Sequence, residues 1–309
     1  MSRLFMTVIL IATVAFFWYF YSSKSVGYIY NPNTQSKEYL HNNSGELSLI
    51  SYKSTDQLDK VFRILASSGI KIIIGPPTSA EGELILPYLK KYNMVAISAT
   101  ISSTKLLSSG YIYSFMPSNK FLIESISQFL KGLGIKKLLI ISDPNNRAYS
   151  DEFLELHKTF PGVNIYYYNE NSLQTIDITA FDGALMSIFS KEAATVVRFL
   201  KAKNPSINII GTDSVMAEDF IHYAGKYAEG AYVIYSMDYL SNPEIELIKE
   251  VSNFISNHKF LSSDQFRRYI KKNVIVTPKG KFYFDIGSVH RPPKIFKVEN
   301  GTFVEQKVF

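Results

Sequence analysis

Ile72, Ile73 and Ile74 form a run of β-branched residues that halts at Gly75-Pro76. A short run of this kind reads as a buried strand ended by a turn. Thr78 or Ser79 then stands where a helix would be capped, and Glu81 and Glu83 follow in its first turn. Acidic groups there oppose the positive end of the helix dipole. Val95–Ser98 reads as the next strand, and it runs into a second hydroxyl-rich loop, Thr100 to Thr104. Two successive strands thus deliver Ser/Thr loops to one edge of a parallel sheet. Ligands of open α/β sheets bind outside the carboxyl ends of the strands.

The same alternation runs through most of the chain. Val26–Tyr30 and Leu47–Tyr52 read as strands, separated by the polar stretch Asn31–Ser44, which contains Pro32 and reads as a loop. Asp56–Ser67 carries Leu58, Val61, Phe62 and Leu65 at helical spacing. Further on, Tyr111–Met116, Leu138–Ser142, Asn164–Tyr168, Gly183–Phe189, Asn208–Thr212 and Ala231–Tyr235 read as strands. Helices are expected over Phe121–Leu133, Ser150–Thr159, Glu192–Lys203 and Ala217–Tyr223, then over Pro243–Ser256 and Ser263–Lys272. Alternation at this spacing argues for two parallel α/β units. The tail alternates apolar and polar residues around Asn300-Gly301, a strong hairpin signal.

Leu4–Tyr21 is uncharged, close to the ~20 residues that a bilayer-spanning helix needs. Arg3 precedes it, and Trp18, Tyr19 and Tyr21 crowd its far end like an interfacial belt. A cleaved signal would have a shorter apolar core and a small-residue cleavage site, so an uncleaved anchor is favoured. In either case the rest of the chain is expected outside the cytoplasm.

Composition excludes several chemistries. There is no Cys, which removes disulfides, thiolate catalysis, Cys-type zinc sites and a lipid-anchored cysteine together. The 5 His lie in different elements, with no pair at i, i+4, so no metal site is expected. Net charge is +6, but the basic residues are scattered rather than arranged in a stripe with aromatics, so no nucleic-acid partner is expected. Asp143-Pro144-Asn145 opens like a calcium loop, but Arg147 and Ala148 stand where an acidic ligand and a glycine are needed. Walker, G-x-S-x-G and dinucleotide fingerprints are missing, so no cofactor and no enzymatic activity are expected.

The strand, the G-P-x-[ST]-S loop Gly75–Ser79, the helix after it and the strand running into Ile97-Ser98 and Thr100–Thr104 carry a family resemblance. This order resembles the type I periplasmic binding proteins, and within them the leucine/isoleucine/valine-binding group. The match in element order extends from about Val26 to Phe309. Pro117-Ser118-Asn119 resembles the family's first interlobe crossover, and Glu229-Gly230 its A-x-E-G strand entry. The resemblance implies two Rossmann-like three-layer α/β lobes after an N-terminal transmembrane helix. Residues 1–24 would be the anchor or signal, 25–117 with 240–275 the first lobe, and 118–239 with 276–309 the second. It also implies two departures: the family's helix between strands one and two is replaced by Asn31–Ser44, and one of three C-terminal helices is absent.

Five residues are candidates for a ligand site. Ser79 at a helix start can hold a carboxylate with its hydroxyl and nearby N–H groups, or serve simply as a cap. Asp213 follows a strand of the second lobe and can pair with an ammonium, or cap a turn or the helix after it. The resemblance places Thr100 and Ser102 where the family meets a ligand's carboxylate and ammonium. It makes Tyr149 an aromatic wall with a polar tip, although Ser150 replaces the glycine of that loop. Phe189 is a weaker candidate and reads rather as core. The set suits a zwitterionic amino acid. The function implied is an extracytoplasmic, membrane-anchored receptor that closes two lobes on a small ligand for an ABC-type membrane permease. The alternative is a degenerate binding fold that acts as a membrane-anchored sensor or interaction domain.

Overall fold

A computed structural model describes residues 26–30, 48–51, 55–236, 254, 257–258, 262–277 and 280–307. The expected anchor Leu4–Tyr21, the loop Asn31–Ser44 and, apart from Phe254, the expected helix Pro243–Ser256 lie outside the described residues. Among the described residues no helix is long and apolar enough to cross a membrane.

The described residues form two seven-stranded sheets and one two-stranded sheet. The first contains β1 (Val26–Tyr30), β2 (Ser48–Ser51), β3 (Ile72–Ile74), β4 (Val95–Ser98) and β5 (Ile112–Ser114), in the parallel order β2-β1-β3-β4-β5. The second contains β6 (Lys137–Ser142), β7 (Gly162–Tyr167), β8 (Gly183–Ser187), β9 (Asn208–Gly211) and β10 (Tyr232–Tyr235), in the parallel order β7-β6-β8-β9-β10. Both sheets therefore repeat one doubly wound pattern, with the switch of direction between β1 and β3 and between β6 and β8. A crevice opens at such switch points, outside the carboxyl ends of the strands.

The strands are legible because helices cover both faces of each sheet. Ile72, Ile73 and Ile74 are all buried, as a central parallel strand requires. α1 (Leu58–Ser67) buries Leu58, Val61, Phe62 and Leu65, the expected stripe, each worth about 1.5–3 kcal/mol of burial. α2 (Ser79–Lys91) follows β3, and Gly82 lets it lie close to the loop after β4. A Cβ at Gly82 would sit 2.9 Å from Ile101 Cδ1 and 3.0 Å from Leu106 Cδ1. A short α3 (Thr104–Leu107) precedes β5, and α4 (Asn119–Gly132) leads into the second sheet. There α5 (Arg147–Ser150), α6 (Ser190–Lys203) and α7 (Glu218–Ala224) follow β6, β8 and β9, and α8 (Ser263–Lys272) comes later.

Three sequence expectations change. The helix expected over Ser150–Thr159 is a single α-helical turn, α5, continued by a 3-10 helix over Asp151–Lys158. Phe189 is 46% exposed at the N-cap of α6 rather than in the core. β8 ends at Ser187, so Phe189 lies past the strand and beyond the sheet's apolar layer. The tail also divides between the sheets. After β11 (Ile275–Thr277) and β12 (Gly280–Phe282), β13 (Phe284–Asp285) and β14 (Ser288–Val289) form a hairpin whose β14 pairs with β5. Residues 284–289 thus extend the first sheet, although 276–309 is expected with the second. β15 (Lys294–Glu299) and β16 (Thr302–Gln306) close the second sheet as antiparallel strands. Asn300-Gly301 forms their turn, as read, with both residues at positive φ. Glu229 holds that turn by accepting the Asn300 and Gly301 N–H groups.

Candidate functional site

The candidate residues lie at or beside four strand tips. After β3, Thr78 is the N-cap of α2, and its Oγ1 accepts the Glu81 N–H. Ser79 is therefore not the cap but the first helical residue, and it is buried. After β4, the Ser98 and Thr100 hydroxyls donate to the carbonyls of Pro76 (2.8 Å) and Pro77 (2.5 Å). These bonds lock the two hydroxyl-rich loops of the first lobe side by side. Ser102 is 2% exposed, and its Oγ has no hydrogen-bond partner among the described residues. A buried hydroxyl without a partner forfeits roughly 1–3 kcal/mol, so this atom is placed at a cost to the fold.

After β6, the loop Asp143–Asn146 turns into α5. The Ser150 hydroxyl donates to the Asp143 carbonyl (2.9 Å), which closes the loop. Ser150 has φ −71°, so the family's glycine is not needed at this position. Burial pushes the Asp143 carboxyl above its usual range, while the backbone N–H groups of Asn145 and Asn146 pull it down. Tyr149 is buried, with its ring edge-on to Phe153. Its ring belongs to the core of the second lobe rather than to a cleft wall, and only its hydroxyl reaches the tip of β9. The phenol donates to Asp213 Oδ1 (2.5 Å) and lies 2.6 Å from Thr212 Oγ1.

Asp213 stands just past β9 and opens a 3-10 turn. It does not cap α7, whose N-cap is Ala217 with no side-chain bond. Burial pushes its carboxyl up to about 6, against the lowering by the Tyr149 hydroxyl and the N–H groups of Asp213 and Ser214. Tyr149 is itself raised well above its usual range, first by burial and then by the Asp213 charge. Among the described residues Asp213 makes no ion pair.

One turn, Asn146–Tyr149, joins these parts. Asn146 Oδ1 accepts the Ala80 N–H at the start of α2 (2.9 Å). The Tyr149 carbonyl accepts Asn119 Nδ2 (3.2 Å), and the Asn119 N–H in turn donates to the Ser102 carbonyl (2.7 Å). Ser102, Tyr149 and Asp213 are joined through this turn, and Ser79 and Thr100 sit on the adjoining tips of the first sheet. Asn119 Oδ1 is another buried acceptor without a partner among the described residues.

A second feature lies beside it. Glu152, from the second lobe, accepts the Ser103 hydroxyl (2.8 Å) and the N–H groups of Thr104 (2.9 Å) and Lys105 (3.1 Å). It borders an open groove of about 680 Å³ whose walls include Glu83, Lys105, Lys120, Arg147 and Asp151. None of the five candidate residues lines that groove. Its charges pair locally, Lys105 with Glu83 and Arg147 with Asp151. The candidate residues thus gather at the strand tips and not in this groove. Asn146 and Glu152 were not singled out in the sequence, although Asn146 stands in a polar loop at a strand tip, three residues before Tyr149.

No protein-family model matches the chain, and no curated protein matches it by sequence. Solved structures do match. A leucine-binding protein, LivK, from Thermotoga maritima is 12% identical, with a TM-score of 0.74 over 91% of this chain and 97% of that one. The branched-chain amino acid transporter substrate-binding protein LivJ of Streptococcus pneumoniae, solved with isoleucine, is 14% identical, with a TM-score of 0.70 over 91% and 99%. A solute-binding protein of an R. palustris ABC transporter, solved with 4-hydroxybenzoate, is 12% identical, with a TM-score of 0.70 over 92% and 95%. The chain thus has the two-lobe α/β fold of the type I periplasmic binding proteins, and its structural neighbours include the leucine/isoleucine/valine-binding group.

Proposed function

We propose that this chain is an extracytoplasmic solute-binding protein that closes two lobes on a small amino acid and presents it to an ABC-type membrane permease. It acts as a receptor and not as an enzyme. The first lobe spans 25–117 with 240–275 and the 284–289 hairpin, the second takes the rest, and residues 1–24 anchor the protein in the membrane. The observation that carries this reading is the asymmetry of the cleft. Ser79 and the Ser102 hydroxyl collect on the first lobe, on loops tied together by Thr100, and an acid without a cation among the described residues, Asp213, stands on the second with Tyr149 holding it. A carboxylate suits the first set and an ammonium the second. Closure then follows from tighter binding to the closed form than to the open one. Two neighbours of the same fold were solved with isoleucine and leucine.

One observation favours the second reading, a binding fold that serves as a membrane-anchored sensor: Asn146 already occupies an N–H at the start of α2. Calorimetric titration of the full chain in detergent with each of the twenty amino acids, and with 4-hydroxybenzoate as a ligand without an ammonium, separates the readings. Heat with at least one amino acid supports transport-type binding. Heat with 4-hydroxybenzoate alone removes the amino-acid version. No heat with any of them favours the sensor.

A further inference from the structure

We propose that Asn146 is a built-in occupant of the carboxylate position at the start of α2, and that together with Glu152 it holds the unliganded protein closed. The inference rests on the reading of these strand tips as the ligand site.

Three N–H groups head α2 before its own ladder begins: Ser79, Ala80 and Glu81. Thr78 takes the Glu81 N–H. Asn146 takes the Ala80 N–H, although it lies 66 residues away and in the other lobe. An amide oxygen is the neutral counterpart of a carboxylate oxygen, so Asn146 fills the place that a ligand's carboxylate would fill. The residue is built to reach there. Its carbonyl is fixed by accepting the Tyr149 and Ser150 N–H groups, it is 8% exposed, and its side chain caps nothing in its own helix. The ammonium side shows the complementary condition, since Asp213 has no cation among the described residues. The cleft is therefore satisfied internally at one pole and left open at the other.

Glu152 does the same work nearer the crossover. Its carboxylate accepts three donors of the first lobe, from Ser103, Thr104 and Lys105. Charge-assisted bonds of this type are about twice as strong as neutral ones. Thr104 Oγ1 also accepts the Lys120 N–H at the start of α4, so this contact sits close to the chain's passage between lobes. Asn146 acts across the cleft and Glu152 braces its base. A ligand carboxylate must displace Asn146 and inherits a protein that is already closed, so binding exchanges one acceptor for another rather than driving the whole motion.

The chain has no cysteine, so labels go only where cysteines are introduced. Spin labels at Lys90→Cys and Ala202→Cys, exposed positions of the two lobes, report the interlobe distance in the full chain without ligand. The parent should show one short distance. Asn146→Ala should shift the open-to-closed ratio by about fivefold, the effect of one neutral hydrogen bond. Glu152→Ala should shift it further, and Asn146→Asp, which keeps an acceptor, should retain the short distance. Asn146→Ala should also bind any carboxylate ligand severalfold more tightly. Distances unchanged in both alanine variants, or a parent already broad, would overturn the proposal. Because the distances are read without ligand, that failure is separate from a failure to bind amino acids.

Discussion

The two lobes repeat one strand order and put opposite chemistry at its tips. In the first, β3 and β4 end in hydroxyls and helix N–H groups, and the hydroxyls of Ser98 and Thr100 are spent tying one loop to the other. In the second, β6 and β9 end in Asp143 and Asp213, and a phenol is spent holding the latter. A shared scaffold thus carries tips of opposite polarity, and on the proposed reading only their meeting defines a ligand with both charges. The lesson is that polarity in this fold is set by a few residues past each strand and not by the sheets. The lobes also end alike. β13–β14 and β15–β16 are both two-residue hairpins with their central residues at positive φ.

The sharpest way to break the comparison is to remove the acid from the second lobe. Asp213→Asn should lower amino-acid affinity about 100-fold, because truncating one member of a buried charge pair costs about 2–5 kcal/mol. The same variant should stabilise the unliganded protein at pH 8 by about 1–2 kcal/mol, since it deletes a desolvated charge that lacks a cation. Calorimetry and urea unfolding read the two effects, and an unchanged affinity would sever Asp213 from the site.

The next effect is on pH. The Asp213 carboxyl titrates near 6 in the folded chain against 3.8 for the free group. Its folded form keeps a proton that the unfolded chain has lost between those values. This group therefore lowers stability as pH rises across that window, and the loss persists above it. Ligand binding has the opposite sign, because an ammonium needs the ionised acid. Affinity should be level above about pH 7 and fall close to tenfold per unit once pH is well below 6. A profile that is flat from pH 8 to 5 would place the ammonium elsewhere.

The first lobe predicts something milder. Ser102→Ala removes a hydroxyl with no partner in the unliganded form. It should leave stability unchanged or slightly raised, and it should weaken ligand binding about fivefold, the loss of one neutral hydrogen bond. Equal losses for Ser102→Ala and Asp213→Asn would contradict the division of labour between lobes.

What the sequence discloses follows from distance along the chain. Ile72–Ile74 and Gly183–Ser187 are readable because strands covered on both faces are continuous apolar runs. The α1 stripe is readable because its period is local. That Ser79, Thr100 and Asp213 stand past strand ends is readable because each follows its strand within a few residues. The 3-10 continuation of α5 is not, since Phe153 and Leu156 have the spacing of an α-helix and the difference lies in how the segment packs. Asn146 and Glu152 are not, because their partners lie 66 and 48 residues away in the other lobe. No periodicity marks a residue whose role depends on how two lobes meet.

The smallest prediction returns to the paired hairpins. The second lobe turns on Asn300-Gly301, with φ of 53° and 71°. The first turns on Ile286-Gly287, with φ of 45° and 81°. Glycine is forced at the second position, because a Cβ on Gly287 would lie 2.3 Å from the Leu107 carbonyl oxygen. At the first position a β-branched residue is held in the left-handed region, which costs about 1–2 kcal/mol, whereas asparagine tolerates it. The Ile286 side chain is 67% exposed, so little burial offsets that cost. Ile286→Asn should therefore raise stability by about 1 kcal/mol, seen as a higher urea midpoint at constant slope. Ligand affinity should stay the same, since the turn touches neither half-site. A lower midpoint would mean that the isoleucine packs against something outside the described residues, and the likeness of the two hairpins would then end at their backbone.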